Sequence, residues 1–445
     1  MTLRVLSVAS EAVPLVKTGG LADVAGALPA ALAPHGVELT TLIPGYRSVM
    51  SSLGKGKVVY KWPSLLGQPA RLLAGELGGN PLLVLDAPAY FDRVGGPYGD
   101  EAGRDWDDNW RRFAALARAA ADIAGGAAKG LAFDIVHAHD WQAALTPAYL
   151  RFAPLDGGRS VPSVLTIHNM AFQGFFDAGI FPRLGLPQSA WSVDGVENYG
   201  GVGFLKAGMQ LADAITTVSP TYAGEIRSVE FGMGLEGLVL ARSNRVHGIL
   251  NGIDTAEWNP ARDPQLTATF TAGRLSARAR NKRAIEQEFG LDHSDGPLFV
   301  IVSRLTWQKG MDVLVGVLDH LVGIGGSEKG DLARGHAQRC GALLVEADLD
   351  FRVTLGHRGL DVHEAVGAFH QRHQALAGLL QVAQVGAVQF DFQWRGEAED
   401  LRPAELHLGA GEARGHGLAQ AGGGGGLGGG AVALRHDHRE LADVL

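Results

Sequence analysis

Residues 16–21 read Val-Lys-Thr-Gly-Gly-Leu and follow the apolar run Leu3–Ala9. A turn from strand into helix needs at most one glycine for its geometry. Two glycines beside a lysine predict a ligand that approaches the backbone closely. The helix predicted from about Leu21 to Leu32 would begin there. Its N-terminus carries roughly half a positive charge and several free N–H groups. Gly19, Gly20 and Lys17 together would cradle a phosphate or diphosphate. The plain alternative is a turn whose glycines serve packing alone. The stretch is not a Walker A loop, because G-x-x-x-x-G-K-[ST] is absent.

Three further stretches place polar residues just after a predicted strand. In FDIVHAHDWQ, His137 and His139 share one strand face, and Asp140, Trp141 and Gln142 follow. A metal site would need a further carboxylate or cysteine ligand, and no such partner is obvious. A sugar-binding wall, with Asp140 and Gln142 as hydrogen-bonders and Trp141 as a packing face, is one reading. A strand end with Asp140 as helix N-cap is the other. LTIHNMAFQG ends its strand in His168 and Asn169. VSRLTWQKG carries Arg304 and Lys309 in one loop after a strand. Two cations placed there can neutralise a departing diphosphate, although an isolated pair of surface charges would look the same.

The elements that position these residues are legible in the apolar pattern. Strands are predicted at Leu3–Ala9, Leu39–Ile43, Leu82–Leu85, Phe133–His137, Ser163–Ile167, Ala214–Val218, Val246–Leu250 and Leu298–Ser303. Residues 107–124 have a helical period, with Trp110, Phe113, Leu116, Ala117, Ala120 and Ile123 on one face and Arg111, Arg112 and Arg118 on others. Strand–helix alternation predicts an α/β fold of parallel sheets with helices on both faces. Such sheets bind ligands at the carboxyl ends of their strands.

Composition narrows the function. The 445 residues suit two domains, and 46% of them are hydrophobic. A net charge of −8 argues against a nucleic-acid or anionic membrane surface. Cys340 is the one cysteine, which excludes an intrachain disulfide and a cysteine metal cage. No basic-then-apolar leader opens the chain, and no apolar run approaches the ~20 residues of a membrane span. A cytoplasmic protein is expected.

The stretches SEAVPLVKTGGLADVAGALP, HAHDWQ, TIHNMAFQG, TVSPTYAGEI, NGIDTAEWNP and SRLTWQKGMD occur here in one order. That series closely resembles the bacterial glycogen (starch) synthases, glucosyltransferases that use ADP-glucose. The resemblance covers about residues 1–326. It implies a GT-B-like fold of two Rossmann-like lobes with the site between them: residues 1–245 as the first lobe, and 246–326 as the linker and the start of the second. By resemblance, Lys17, Gly19 and Gly20 contact ADP-glucose. Glu11, Asp140 and His168 line the glucose and glucan region, with Asp140 and His168 as the catalytic pair. Arg304 and Lys309 hold the diphosphate. The reaction implied is retaining transfer of glucose to an α-1,4-glucan such as glycogen, without cofactor or metal. The alternatives are a non-catalytic glucan- or nucleotide-binding protein, or another GT-B transferase of the sucrose or trehalose type. A dehydrogenase is disfavoured, since G-x-G-x-x-G is missing from the first turn.

Composition changes at residue 327. Residues 327–445 contain no Ile, Asn, Met or Tyr, and they hold nine of the 16 histidines but one of the 19 prolines. Residues 421–430 read AGGGGGLGGG. The resemblance calls for a Glu-Pro-Cys-Gly-Leu stretch and a second Thr-Gly-Gly-Leu loop, and neither is present. Glu397 and Glu405 are an acidic pair of the expected spacing, but eight glutamates in this tail make such a pair a matter of chance. The absent residue types use A/T-rich codons, so a shifted reading of G/C-rich DNA is expected. A divergent disordered extension is the milder alternative. On either reading the second lobe is incomplete and this chain has little activity.

Overall fold

The computed structural model describes residues 2–256, 258–289, 293, 295, 298–302, 313, 341–345 and 352–355. Every strand predicted from the sequence is present. The strands are β1 (Leu3–Val8), β2 (Val37–Pro44), β3 (Lys57–Leu65), β4 (Gln68–Leu77), β5 (Asn80–Asp86), β6 (Ile135–His139), β7 (Ser163–Ile167), β8 (Phe175–Phe176), β9 (Glu197–Asn198), β10 (Gly201–Gly203), β11 (Ala214–Thr217), β12 (Val246–Gly248), β13 (Leu298–Val302), β14 (Gly341–Val345) and β15 (Arg352–Leu355). The helices used below are α1 (Gly20–Leu32), α2 (Arg47–Leu53), α3 (Pro88–Phe91), α4 (Asn109–Gly125), α5 (Asp140–Ala143), α6 (Thr146–Phe152), α7 (Phe204–Leu211) and α8 (Pro220–Glu225).

Nine strands form one sheet in the order β12-β11-β7-β6-β1-β2-β5-β4-β3. The strands from β12 through β5 run parallel, and the β3–β4 hairpin continues the sheet antiparallel. The central strands read as apolar runs because both faces are covered: Leu6, Val8, Leu42, Ile43, Val136, Leu165, Ile167 and Ile215 are all fully buried. Strand β12 extends this sheet past residue 245, where the sequence places the end of the first lobe. The hairpin was not anticipated. Its burial alternates poorly, and its register shifts twice, between Val58 and Tyr60 and between Trp62 and Leu65, so no clean period of two survives in the sequence.

Helix α4 is buried almost all round rather than on one face. Arg112, expected off the apolar face, is 1% exposed. Its guanidinium donates to the carbonyls of Tyr90 (2.8 Å) and Pro97 (2.9 Å) and to Asn109 Oδ1 (2.6 Å). These bonds replace the hydration that burial removes, and they tie α4 to the loop that carries Tyr98.

Strands β13, β14 and β15 form a separate three-stranded sheet, β13 parallel to β14 and β14 antiparallel to β15. Two of these strands fall within 327–445. The apolar run Leu343-Leu344-Val345 pairs in this sheet.

Candidate active site

Chain order reverses between β1 and β6. From β1 the chain moves outward to β2, and it returns on the other side at β6. A crevice opens at the carboxyl edge of such a switch point. Glu11 follows β1, Asp140 follows β6 and His168 follows β7, so the topology brings these three expected residues to one edge.

Glu11 is 2% exposed. One carboxylate oxygen accepts from the Thr18 backbone N–H. The other accepts from the Thr18 hydroxyl (2.6 Å) and from the Tyr98 phenol. Ser10 in turn donates to the Tyr98 oxygen (2.8 Å). The buried carboxylate is held by neutral donors, and it pins the turn that leads into α1.

That turn ends at Gly19, which caps α1 without any side-chain acceptor. Gly19 has an extended backbone (φ −161°) that any residue adopts. A Cβ added at Gly19 or Gly20 would meet nothing within 4 Å. Neither the turn's conformation nor internal packing requires these glycines. Gly26, further along α1, is different: a Cβ there would lie 2.5 Å from Val13 Cγ2. The open space therefore lies over the first turn of α1, where N–H groups and the helix dipole favour an anion. Lys17 is not a free cation. It pairs with Asp23 at 2.9 Å, both side chains about half exposed.

Asp140 adopts φ +53°, a left-handed conformation that aspartate tolerates better than most residues. It is not an N-cap. It opens α5, whose cap position is His139, and its Oδ1 accepts the N–H of His168, just past the end of β7, at 2.7 Å. Burial pushes its pKa up to about 7, the backbone N–H groups of His168 and Asn169 pull the other way, and the Glu11 charge adds to the rise.

Three histidines form a row beside it. The rings of His137 and His139 are 4.1 Å apart, and those of His139 and His168 are 5.4 Å apart. Burial lowers His168 and His137 to about 4, and His139 well below its ordinary value. All three are neutral at neutral pH. His137 Nε2 meets Thr166 Oγ1 at 2.6 Å, and His139 meets both Ser7 and His168 at 3.1 Å. Among the described residues no group of three His, Cys, Asp or Glu is placed to hold a metal ion.

Trp141 does not present a free face. It is buried against Phe113, Phe176 and Phe204, its ring centroid 5.0 Å from that of Phe113. Gln142 is buried too, with Oε1 unpaired among the described residues. The stretch TVSPTYAGEI has a structural reason. Ser219 caps α8 by accepting from the Tyr222 N–H (2.9 Å), Pro220 starts the helix, and the Tyr222 hydroxyl accepts the Met170 N–H (2.8 Å). This secures the loop that carries His168 and Asn169. Arg304 and Lys309 lie outside the described residues. Sequence reasoning missed Tyr98, Thr18 and Ser7, whose roles depend on contacts and leave no local pattern.

Among the described residues, no helix is long and apolar enough to cross a membrane. The starch synthase catalytic domain family matches residues 4–241. The glycogen synthase of Novosphingobium aromaticivorans is 68% identical over 326 residues, covering 73% of this chain and 67% of that protein. The glycogen synthase of Mesorhizobium japonicum is 58% identical over 345 residues, covering 78% and 71%. A solved structure, the catalytic domain of starch synthase IV from Arabidopsis thaliana bound to ADP and acarbose, superposes with a TM-score of 0.63 at 30% identity. That match covers 78% of this chain and 69% of the plant chain. The mixed α/β architecture is thus that of a GT-B catalytic domain, and the chain belongs to the glycogen synthase family of glycosyltransferases.

Proposed function

We propose that this site transfers glucose from ADP-glucose to the 4-hydroxyl at the non-reducing end of an α-1,4-glucan, with retention at the anomeric carbon. The bond from that carbon to the distal phosphate oxygen breaks, a bond to the acceptor oxygen forms on the same face, and the acceptor's hydroxyl proton leaves on the departing phosphate. The observation that carries this reading is the unfilled space over Gly19 and Gly20 at the uncapped start of α1, beside the buried Glu11. The diphosphate would lie against the α1 N–H groups, with the glucosyl unit directed toward Asp140 and His168. Neutral His168 serves as a hydrogen-bonding group for the sugar. Asp140 fixes the 168–169 backbone. Arg304 and Lys309 meet the charge that develops on departing ADP.

The composition change at 327 supports a further proposal. Residues 327–445 derive from a shifted reading frame, and this chain therefore elongates glucan poorly. The span shared with the Novosphingobium enzyme is 326 residues, the length of the segment before the change, while the 345 residues shared with the Mesorhizobium enzyme run past it. Sequencing codons 315–335 and translating the other frames tests it. A Glu-Pro-Cys-Gly stretch and a second Thr-Gly-Gly-Leu loop in another frame would support the shift, and their absence from every frame would overturn it.

Incorporation of labelled glucose into glycogen tests the activity. Restoring a complete second lobe is expected to raise ADP-glucose-dependent incorporation well above that of this chain. Glycogen co-sedimentation without ADP release, even after that restoration, would favour a binding protein instead.

A further inference from the structure

Ser7 lies on β1 opposite His137 of β6, and its side chain is fully buried. Among the described residues its hydroxyl has one hydrogen-bond partner, His139 Nε2 at 3.1 Å. His139 is also fully buried, and its other nitrogen, Nδ1, faces His168 Nε2 at 3.1 Å. His168 Nδ1 has no partner among the described residues, and this ring stands partly exposed at the carboxyl edge of β7. Four polar groups thus form a line from the core to the crevice.

The line has only two internally consistent directions. In one, Ser7 donates to His139 Nε2, His139 Nδ1–H donates to His168 Nε2, and the His168 proton sits on Nδ1. In the other, every bond is reversed, and the Ser7 proton is left buried without an acceptor. A buried donor without a partner carries the full penalty of its desolvation, so the first direction prevails. Both rings are held neutral by burial, so each carries a single proton to be placed. The His137 ring adds no competing bond, because its Nε2 is taken by Thr166 Oγ1, itself 2.6 Å from Thr216 Oγ1.

We propose that Ser7 and His139 are positioning residues that hold His168 in its Nδ1–H tautomer, so that the crevice receives a fixed ring N–H donor. Given the sugar-binding role proposed for His168, that donor suits a hydroxyl oxygen of the glucosyl unit. A ring locked as a donor cannot take a proton from the acceptor hydroxyl through Nδ1. The device therefore assigns His168 to binding and orientation, not to general-base chemistry.

The test is the ring-nitrogen spectrum of the full chain carrying 15N-histidine, in which long-range proton–nitrogen correlations identify the protonated nitrogen. The His168 signals are assigned by their loss in His168→Gln. The expected result is Nδ1–H for His168 in the unaltered chain, loss of that preference in Ser7→Ala, and its recovery in Ser7→Thr. Nε2–H in the unaltered chain overturns the proposal, and this reading stands whether or not the variants fold. An unchanged Nδ1–H tautomer in a folded Ser7→Ala chain overturns it as well. ADP-glucose is then added. A His168 shift supports the sugar contact. An Nδ1–H ring that ignores ADP-glucose keeps the positioning role and overturns the sugar-site reading instead.

Discussion

Tyr98 and Glu11 are joined by a hydrogen bond across 87 residues of chain, with the phenol donating to the buried carboxylate. The bond links the α1 turn to the loop that Arg112 anchors from beneath. Tyr98→Phe removes one of the donors that satisfy Glu11. A cost of about 1–3 kcal/mol is expected, the range for leaving a buried acceptor short of a partner. Glu11→Gln should cost a similar amount, and the double variant should cost clearly less than the sum. Urea unfolding of the three variants measures this, and strict additivity would contradict the link.

Asp140 serves the fold through its oxygen rather than its charge. Asp140→Asn keeps an acceptor for the His168 N–H and keeps a side chain that tolerates positive φ. It should not destabilise the fold, and any stabilisation it brings should grow as pH rises from about 4 to 7, where the buried charge of Asp140 becomes costly. Asp140→Ala loses the acceptor (about 1–3 kcal/mol) and adds left-handed strain of about 1–2 kcal/mol. The difference between their urea midpoints checks the claim.

The Lys17–Asp23 pair is exposed, and pairs of this kind contribute about 0–1 kcal/mol. Lys17→Ala should leave the melting temperature nearly unchanged while weakening ADP-glucose binding, since on the proposed reading the lysine would exchange Asp23 for phosphate. Thermal melting and titration calorimetry separate the two effects. A large loss of stability would show that the lysine serves the fold.

The histidine row makes stability depend on pH. The folded values of His137 and His168 lie near 4 against an ordinary 6.5. Between those limits the unfolded chain binds protons that the folded chain refuses. Their contribution is complete above about pH 6.5 and is lost as pH falls toward 4. Asp140 acts in the opposite sense. Its folded value near 7 against 3.8 makes the folded chain the tighter proton binder, so its contribution declines as pH rises from about 4 to 7. Replacing His168 with Gln should lower the slope of stability against pH between 4.5 and 6 by up to ~1.4 kcal/mol per unit, one proton's worth. Urea unfolding at several pH values reads that slope.

What was legible in the sequence follows from what is local. Buried parallel strands such as β1 and β7 appear as mainly apolar runs ending in polar residues, and the parallel topology then brings Glu11, Asp140 and His168 to one edge. The β3–β4 hairpin was hidden by its register shifts. Strands β8, β9 and β10 are two or three residues long, too short for any period to show. The burial of Arg112 could not be read from a helical wheel, because its partners are carbonyls of distant loops. Trp141 looked like a sugar platform because it follows a strand, yet the aromatic rings that cover it come from α4, β8 and α7. Tyr98 and Ser7 act only through contacts made after the sheet has closed.

The central claim is that Gly19 and Gly20 are kept open for a ligand and not for the fold. The most direct measurement is ADP-glucose binding by titration calorimetry to the chain with a complete second lobe restored and otherwise unaltered, and to its Gly20→Ala variant, with thermal melting of both. The account predicts binding to the unaltered chain, a loss of at least about tenfold in Gly20→Ala, and a melting temperature as high or higher, since alanine favours a helix over glycine by about 1 kcal/mol. Equal affinity in a folded Gly20→Ala chain, or no binding of ADP-glucose by the unaltered chain, would contradict it.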